Sequence, residues 1–410
     1  MIQFIRTKFI LASLSVVLLA PGLTVATESE KSWERWFSQQ IVTHPEVIAA
    51  QEYMNSTFST AIGQGRPVYN PELDSEFERD GNVNNYSLGV SQTIDWSDKR
   101  SVRQLKTASI RVLARNQYSL TVQQKAADAI IAIVEWRSAT LLAGLAAQQE
   151  EQMKTLLEII TERQTAGDIG SVDAELAVLG LSQRLNDTAT AQALSKQAEF
   201  RLKEIFPDWS NQWKDIPPYL WRFESESSIN QSANTHPSVV IAKAKWLASQ
   251  KNSQLVQLEA KADPTFGIKA GKNGDENLVG LNFSIPLNVR NDFSAEVLAA
   301  HLETNAIESE YLATLRKQIF EIKSARSVLQ EYKSRYKQWQ ILMKGRAEKS
   351  GDLLVKQWES GDLSTTEYMM ALRQRAAGIS AGIELQVKYQ TTHVNWLLKI
   401  GQINAAVRLL

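Results

Sequence analysis

The chain of 410 residues contains no cysteine. That excludes disulfides, thiolate metal sites, cysteine nucleophiles and a lipid anchor on an N-terminal cysteine. Histidine is nearly as scarce. The four, His44, His236, His301 and His393, form no HExxH or other metal-spaced cluster. No enzyme, resident metal or cofactor is expected. Excess charge is also missing, since 45 basic residues face 45 acidic ones. A nucleic-acid binder relying on net positive charge is thereby excluded. Past the N-terminus, no run approaches the ~18 consecutive apolar residues of a spanning helix.

The chain opens "MIQFIRTKFILASLSVVLLAPGLTVATES". Arg6 and Lys8 precede an apolar run from Phe9 to Ala20, then Pro21-Gly22 and small residues. This is the layout of a secretory signal peptide, with cleavage expected after Ala26. The mature chain is then exported, and any membrane crossing must use strands.

The stretch "THPEVIAA" at Thr43 returns as "THPSVVIA" at Thr235, 192 residues later. Pro71 and Pro264, Leu88 and Leu281, and Gly167 and Gly361 follow at offsets of 193, 193 and 194. An ordered set at near-constant spacing marks an internal duplication. The division expected is 1–26 signal peptide, 27–206 first repeat, 207–234 linker and 235–410 second repeat. Each repeat reads as helix, two strands, very long helix, tight turn, helix. The first helix runs from Ser29 to Gln64, with a fresh start at His44-Pro45. Proline suits a first turn, and Thr43 or His44 is the expected cap. The long helix is expected to begin near Ser97 and Asp98, both good caps. Seventy helical residues would span about 105 Å. Ile130, Val134, Leu141, Leu145, Met153, Leu156 and Ile160 recur at helical spacing, as do Leu329, Tyr332, Tyr336 and Trp339. These are packing stripes between helices.

In "PELDSEFER", Glu72, Asp74, Glu76 and Glu78 share one face, with Leu73 and Phe77 on the other. Tyr86, Leu88, Val90, Ile94 and Trp96 share a face, interrupted by Gln92. Phe266, Ile268 and Ala270 alternate likewise, and so do Val279, Leu281, Phe283, Ile285 and Leu287. "RDGNVNN" and "KNGDEN" supply the turns. Two hairpins of ~10-residue strands, apolar on one face, fit a membrane barrel wall. Four strands are too few to close one, since the smallest have about 8, and open edges do not survive in lipid. If these strands cross a membrane, several chains must share a barrel. The same hairpins also fit a soluble sheet packed on a helical bundle.

Signal peptide, duplication, paired hairpins and ~100 Å helices together resemble the TolC-like outer-membrane efflux family. "HPEV" and "HPSV" look like its Asn-Pro-Glu-Leu helix start, with His in the Asn position. "AGDIGSVDAELAVLGLSQ" and "SGDLSTTEYMMALRQR" look like its helix–turn–helix tips. The resemblance implies a mostly α fold with a small β part. Four strands per protomer would enter a trimeric 12-stranded outer-membrane barrel above a periplasmic tunnel of long helices. The partners implied are a homotrimer, outer-membrane lipid, a periplasmic adaptor protein and an inner-membrane efflux pump. The short chain and plain linkers look most like the heavy-metal-type branch.

As such a conduit, Glu72, Asp74, Glu76 and Glu78 would line the barrel and draw cations. Tyr86, Trp96 and Phe266 would be interface aromatics. Gly167 and Gly361 would reverse the chain at the tips. Six residues beyond each stand Asp173 and Glu367, where the family has an acidic constriction ring. Leu176 and Met370 occupy the place of its usual second acid, so the gate would be partly hydrophobic. Arg163, Gln164, Gly167, Asp168, Gly361 and Asp362 would meet the adaptor, with Thr165 adding a polar contact. The segment with Trp209, Trp213 and Trp221 resembles the family's equatorial belt. A periplasmic helical-bundle scaffold without a barrel is the other reading.

Overall fold

The computed structural model describes residues 28–167 and 170–409. The expected signal peptide and the tip candidate Asp168 lie outside them. Helices α1 (Glu28–Val42) and α2 (Pro45–Gln64) meet at Thr43-His44. Pro45 starts α2, and the extended His44 caps it. Its Nδ1 accepts the Glu46 amide at 3.3 Å. His236 does the same for the Ser238 amide, also at 3.3 Å, at the head of α6 (Pro237–Glu259). The repeated Thr-His-Pro is thus one capping device used twice.

Strands β1 (Glu72–Asp80) and β2 (Val83–Thr93) follow α2, then α3 (Lys99–Thr165). Helix α3 has 67 residues, about 100 Å at 1.5 Å per residue. Asp98 does not cap it. Asp98 sits at φ 56° without a cap bond, while Asp95 accepts the amides of Lys99 and Arg100, each at 2.9 Å. The carboxylate two residues beyond strand β2 reaches farther into the first turn than its neighbour does. Helix α4 (Ser171–Ile205) returns along α3, with Thr188 donating to the Ala146 carbonyl at 3.2 Å. Two 3₁₀ turns (Asn211–Trp213, Pro218–Arg222) and α5 (Ile229–Thr235) lead into α6.

Strands β3 (Thr265–Asn273) and β4 (Glu276–Ser284) precede α7 (Ser294–Met343), α8 (Arg346–Glu359), α9 (Thr365–Lys399) and α10 (Ile403–Val407). The second long helix is therefore not one rod. Gly345 takes φ +67° and separates α7 from α8, a left-handed backbone that an L side chain resists. The strands are also shorter than the alternation in the sequence. Ile94 and Trp96 lie beyond β2, and Ile285 and Leu287 beyond β4, where Pro286 has no amide for the ladder.

The main core lies where α1, α3, α4, α9, α10 and the linker converge. Phe37, Ile41, Ile130, Ile133, Leu202, Phe206, Leu220 and Leu397 are fully buried there. Burying each stabilises by about 1.5–3 kcal/mol. Trp213 stacks on Trp36 at 4.9 Å, which fixes the linker against α1. This core also accounts for the most apolar part of α3, whose best 18-residue window reaches a mean hydropathy of 1.5. By length and composition that window could cross a membrane; here 33% of it is buried within the chain. A second core at the far end of α3 joins Met153, Leu156 and Ile160 to Ala177, Trp358 and Tyr368. Leu141, between the two, is exposed despite its place in the stripe.

Candidate functional site

The four strands form one antiparallel sheet in the order β1-β2-β3-β4. The β2–β3 pairing joins the two repeats, with Val90 opposite Ile268. The outer edges of β1 and β4 have no partner strand among the described residues. Register assigns the faces. Leu73, Phe77, Leu88, Val90, Ile268, Val279 and Leu281 share one side and are exposed. Val279 and Leu281 are 82% and 87% exposed, an extreme for aliphatic side chains. Aromatic residues bracket this face. Phe77 pairs with Tyr86 toward the turns, and Phe266 meets Phe283 at 5.2 Å toward the helices. From Phe266 to the Tyr86 row at Lys272 is about 20 Å of strand. Trp96 is exposed beyond the strand end.

Glu72, Asp74, Glu76 and Glu78 share the other face, as the alternation predicts. Asp74 accepts the Ser91 hydroxyl at 2.8 Å, and Glu76 that of Ser87 at 3.4 Å. The face is not purely acidic, however. Lys269 stands on it, and its Nζ lies 3.4 Å from Glu76. The signal was present in "TFGIKAG", whose apolar positions alternate with Gly267, Lys269 and Gly271. Gly271 is required by close approach, because a Cβ there would overlap the Tyr86 carbonyl.

Where sheet meets helices, Lys99 is buried and pairs with Asp263 at 2.7 Å. The Tyr69 hydroxyl donates to the same Asp263 oxygen at 2.8 Å. Burial pushes the Asp263 carboxyl up, but hydrogen bonds from Lys99 and Tyr69 outweigh it and hold the group below its ordinary range. The three come from segments 69, 99 and 263, and nothing in their spacing links them.

At the other end lie the two tips. Gly167 and Gly361 take φ +84° and +81°, the left-handed conformation that ends a helix. Asp173, in the first turn of α4, accepts the Thr366 hydroxyl at 3.0 Å, so it joins the tips. Glu367 is held elsewhere. It closes a capping box with Ser364, accepting the Ser364 amide at 2.9 Å and hydroxyl at 2.8 Å. These bonds keep its carboxyl below the ordinary value. Met370 and Leu176 are exposed. The Arg163 guanidinium sits 5.1 Å over the Trp358 ring, which stacks on Tyr368 at 4.9 Å. Gln164, Thr165, Gly167 and Gly361 are exposed, and Asp362, also exposed, accepts the Ser360 hydroxyl at 2.8 Å. Thr366, Trp358 and Tyr368 are tip residues the sequence reading missed.

One string has catalytic spacing. Gly378-Ile379-Ser380-Ala381-Gly382 reads GxSxG. It lies inside α9, whereas a nucleophile elbow needs a sharp strand-to-helix turn. Gly382 there admits the Trp339 ring, which a Cβ would overlap. Gly382 serves helix packing, and the Gly378 carbonyl accepts the Trp339 indole N–H at 3.1 Å.

No protein-family model and no curated protein matches the sequence. Solved structures do. The outer-membrane channel OprN superimposes with a TM-score of 0.75 over 91% of this chain and 91% of its own, at 12% identity. The Campylobacter jejuni CmeC outer membrane channel gives 0.73 over 92% and 86%, at 12% identity. The outer membrane protein VceC of Vibrio cholerae gives 0.73 over 90% and 96%, again at 12%. The superpositions span about nine-tenths of this chain, whose long helices end in a four-stranded sheet, and the chain has the fold of the TolC-like outer-membrane channels.

Proposed function

We propose that three copies of this chain assemble into an outer-membrane conduit of a tripartite efflux or secretion system. The observation that carries the reading is a sheet with two edges unpaired among the described residues and a bare apolar face. Open edges are not tolerated in lipid, and four strands cannot close a barrel. Pooling three sheets seals twelve strands edge to edge and turns the apolar faces to lipid. The two repeats, 27–206 and 235–410, then supply one hairpin and one helix pair each, and 207–234 forms a belt. The helices run through the periplasm. At their ends the tips meet a periplasmic adaptor and, through it, an inner-membrane pump. Arg163, Gln164, Gly167, Asp168, Gly361 and Asp362 are the contact candidates. Asp173, Glu367 and Met370 are the gate candidates. Glu72, Asp74, Glu76 and Glu78 line the barrel. The heavy-metal-type branch belongs to this reading, on the strength of the plain linkers.

Fractionation tests it. The protein should sediment with the outer membrane and need detergent for release; recovery in the soluble periplasmic fraction would leave the scaffold reading instead. Deleting the gene and screening metals, dyes and antibiotics should reveal sensitivity to the exported class.

A further inference from the structure

Lys269 breaks the charge pattern of the lumenal face, and its surroundings are built for it. Its row across the sheet reads Asp74, Gly89, Lys269, Gly280. A Cβ on Gly89 would stand 3.1 Å from the Lys269 Cβ, and one on Gly280 would stand 3.3 Å from its Cγ. Bare backbone on both sides therefore leaves Lys269 the only cationic side chain of that row and gives its stem room. Its ammonium reaches Glu76, two strands away, at 3.4 Å. The pair is open to solvent, with side chains 43% and 64% exposed. Exposed pairs of this kind hold folds together only weakly. The adjacent rows carry Glu72 and Glu76 on the same face, and the row beyond carries Glu78 and Glu276. Among the described side chains, one protomer thus offers five carboxylates and one ammonium to the lumen.

We infer that Lys269 is a selectivity-determining residue, a counter-charge that limits how strongly the pore favours cations over anions. The inference rests on the channel reading above. Like charges inside a low-dielectric wall add over a screening length, and an ammonium seated among them subtracts directly from that field. With Lys269 in place the lumenal face is less negative and excludes anions less strongly; without it, that exclusion deepens.

The test is reversal potential across planar bilayers holding the detergent-extracted full chain, under a potassium chloride gradient. At about 0.01 M salt the screening length is ~30 Å, and at 1 M only ~3 Å. At low salt Lys269→Gln should raise the potassium-to-chloride permeability ratio by about twofold or more. Lys269→Arg, which keeps the charge, should leave it unchanged, and Glu76→Gln should lower it. Both differences should vanish at 1 M. An unchanged ratio for Lys269→Gln at normal conductance would overturn the inference. So would assembly lost in Lys269→Gln but kept in Lys269→Arg, which would make the residue structural. Absence of any conductance both from the wild type and from an Asp173→Asn chain, in which a gate candidate is removed, would strike the channel reading itself and remove this inference with it.

Discussion

His393 shows what burial does to a single residue. It lies in α9 among Trp221, Tyr389 and Trp396, 3% exposed, and its Nε2 has no hydrogen-bond partner among the described residues. Burial, aided by the nearby Lys333, lowers its pKa from 6.5 to about 4; a hydrogen bond to Leu220 offsets this in part. The neutral ring is thus the folded form. An unfolded chain takes up a proton below about 6.5, and the folded one only near 4. The stability His393 contributes is complete above 6.5 and is lost as pH falls toward 4. The loss amounts to about 3 kcal/mol. Thermal melts followed by helical circular dichroism should show the midpoint dropping over that window. His393→Gln should flatten the drop. His44 and His236 were legible as caps because each precedes a proline at a helix start. The burial of His393 was not legible, since it depends on Trp221, which is 172 positions away in sequence.

At the level of elements, the strands were the most readable part. A period of two assigns each side chain to a face before any pairing is known, and the register keeps Leu73, Val90, Ile268 and Leu281 in one row. That row gives a sharp test. Leu281→Arg should cost about 2–4 kcal/mol if its face meets the middle of a bilayer. Asn282→Arg, one residue on and turned to the opposite face, should leave assembly intact. The yield of membrane-inserted, detergent-extractable protein distinguishes them; equal yields would contradict a lipid-facing sheet. Helix ends were less readable. Asp98 looked like the cap of α3, but chain direction out of β2 brings Asp95 to those amides instead. Gly345 gave a visible hint in "MKGRAEKSG" that α7 ends there. A lone glycine inside a helical pattern does not decide by itself between a break and a tolerated cost.

For the whole molecule, the missing cysteines become useful. Glu72→Cys and Asn282→Cys place one thiol on each open edge, in the same row and on the same face. A bifunctional thiol reagent long enough to span the stagger that barrel closure imposes between neighbouring copies should then join them into a ladder that stops at three on a denaturing gel. Either substitution alone should give no ladder. Chains that stay single in extracted membranes would contradict a shared barrel. The tips belong to this scale too. Asp173 meets Thr366 across the two repeats, whereas Glu367 serves its own helix start. Two acids at equivalent positions of a duplicated chain therefore have different surroundings, which duplication in the sequence could not foretell.

The sequence by itself determined the order of helices and strands and the sidedness of the strands, though not the break between α7 and α8. These follow from short-range chemistry: proline and capping residues at helix starts, glycine at reversals, and alternation along strands. The tertiary structure alone decided which repeated positions meet. It brought Lys99, Tyr69 and Asp263 into one buried cluster, laid Arg163 on Trp358 and set Lys269 against Glu76. Such contacts join segments up to 195 residues apart (Arg163 to Trp358). They depend on how two long helical hairpins align, and no local pattern encodes that alignment.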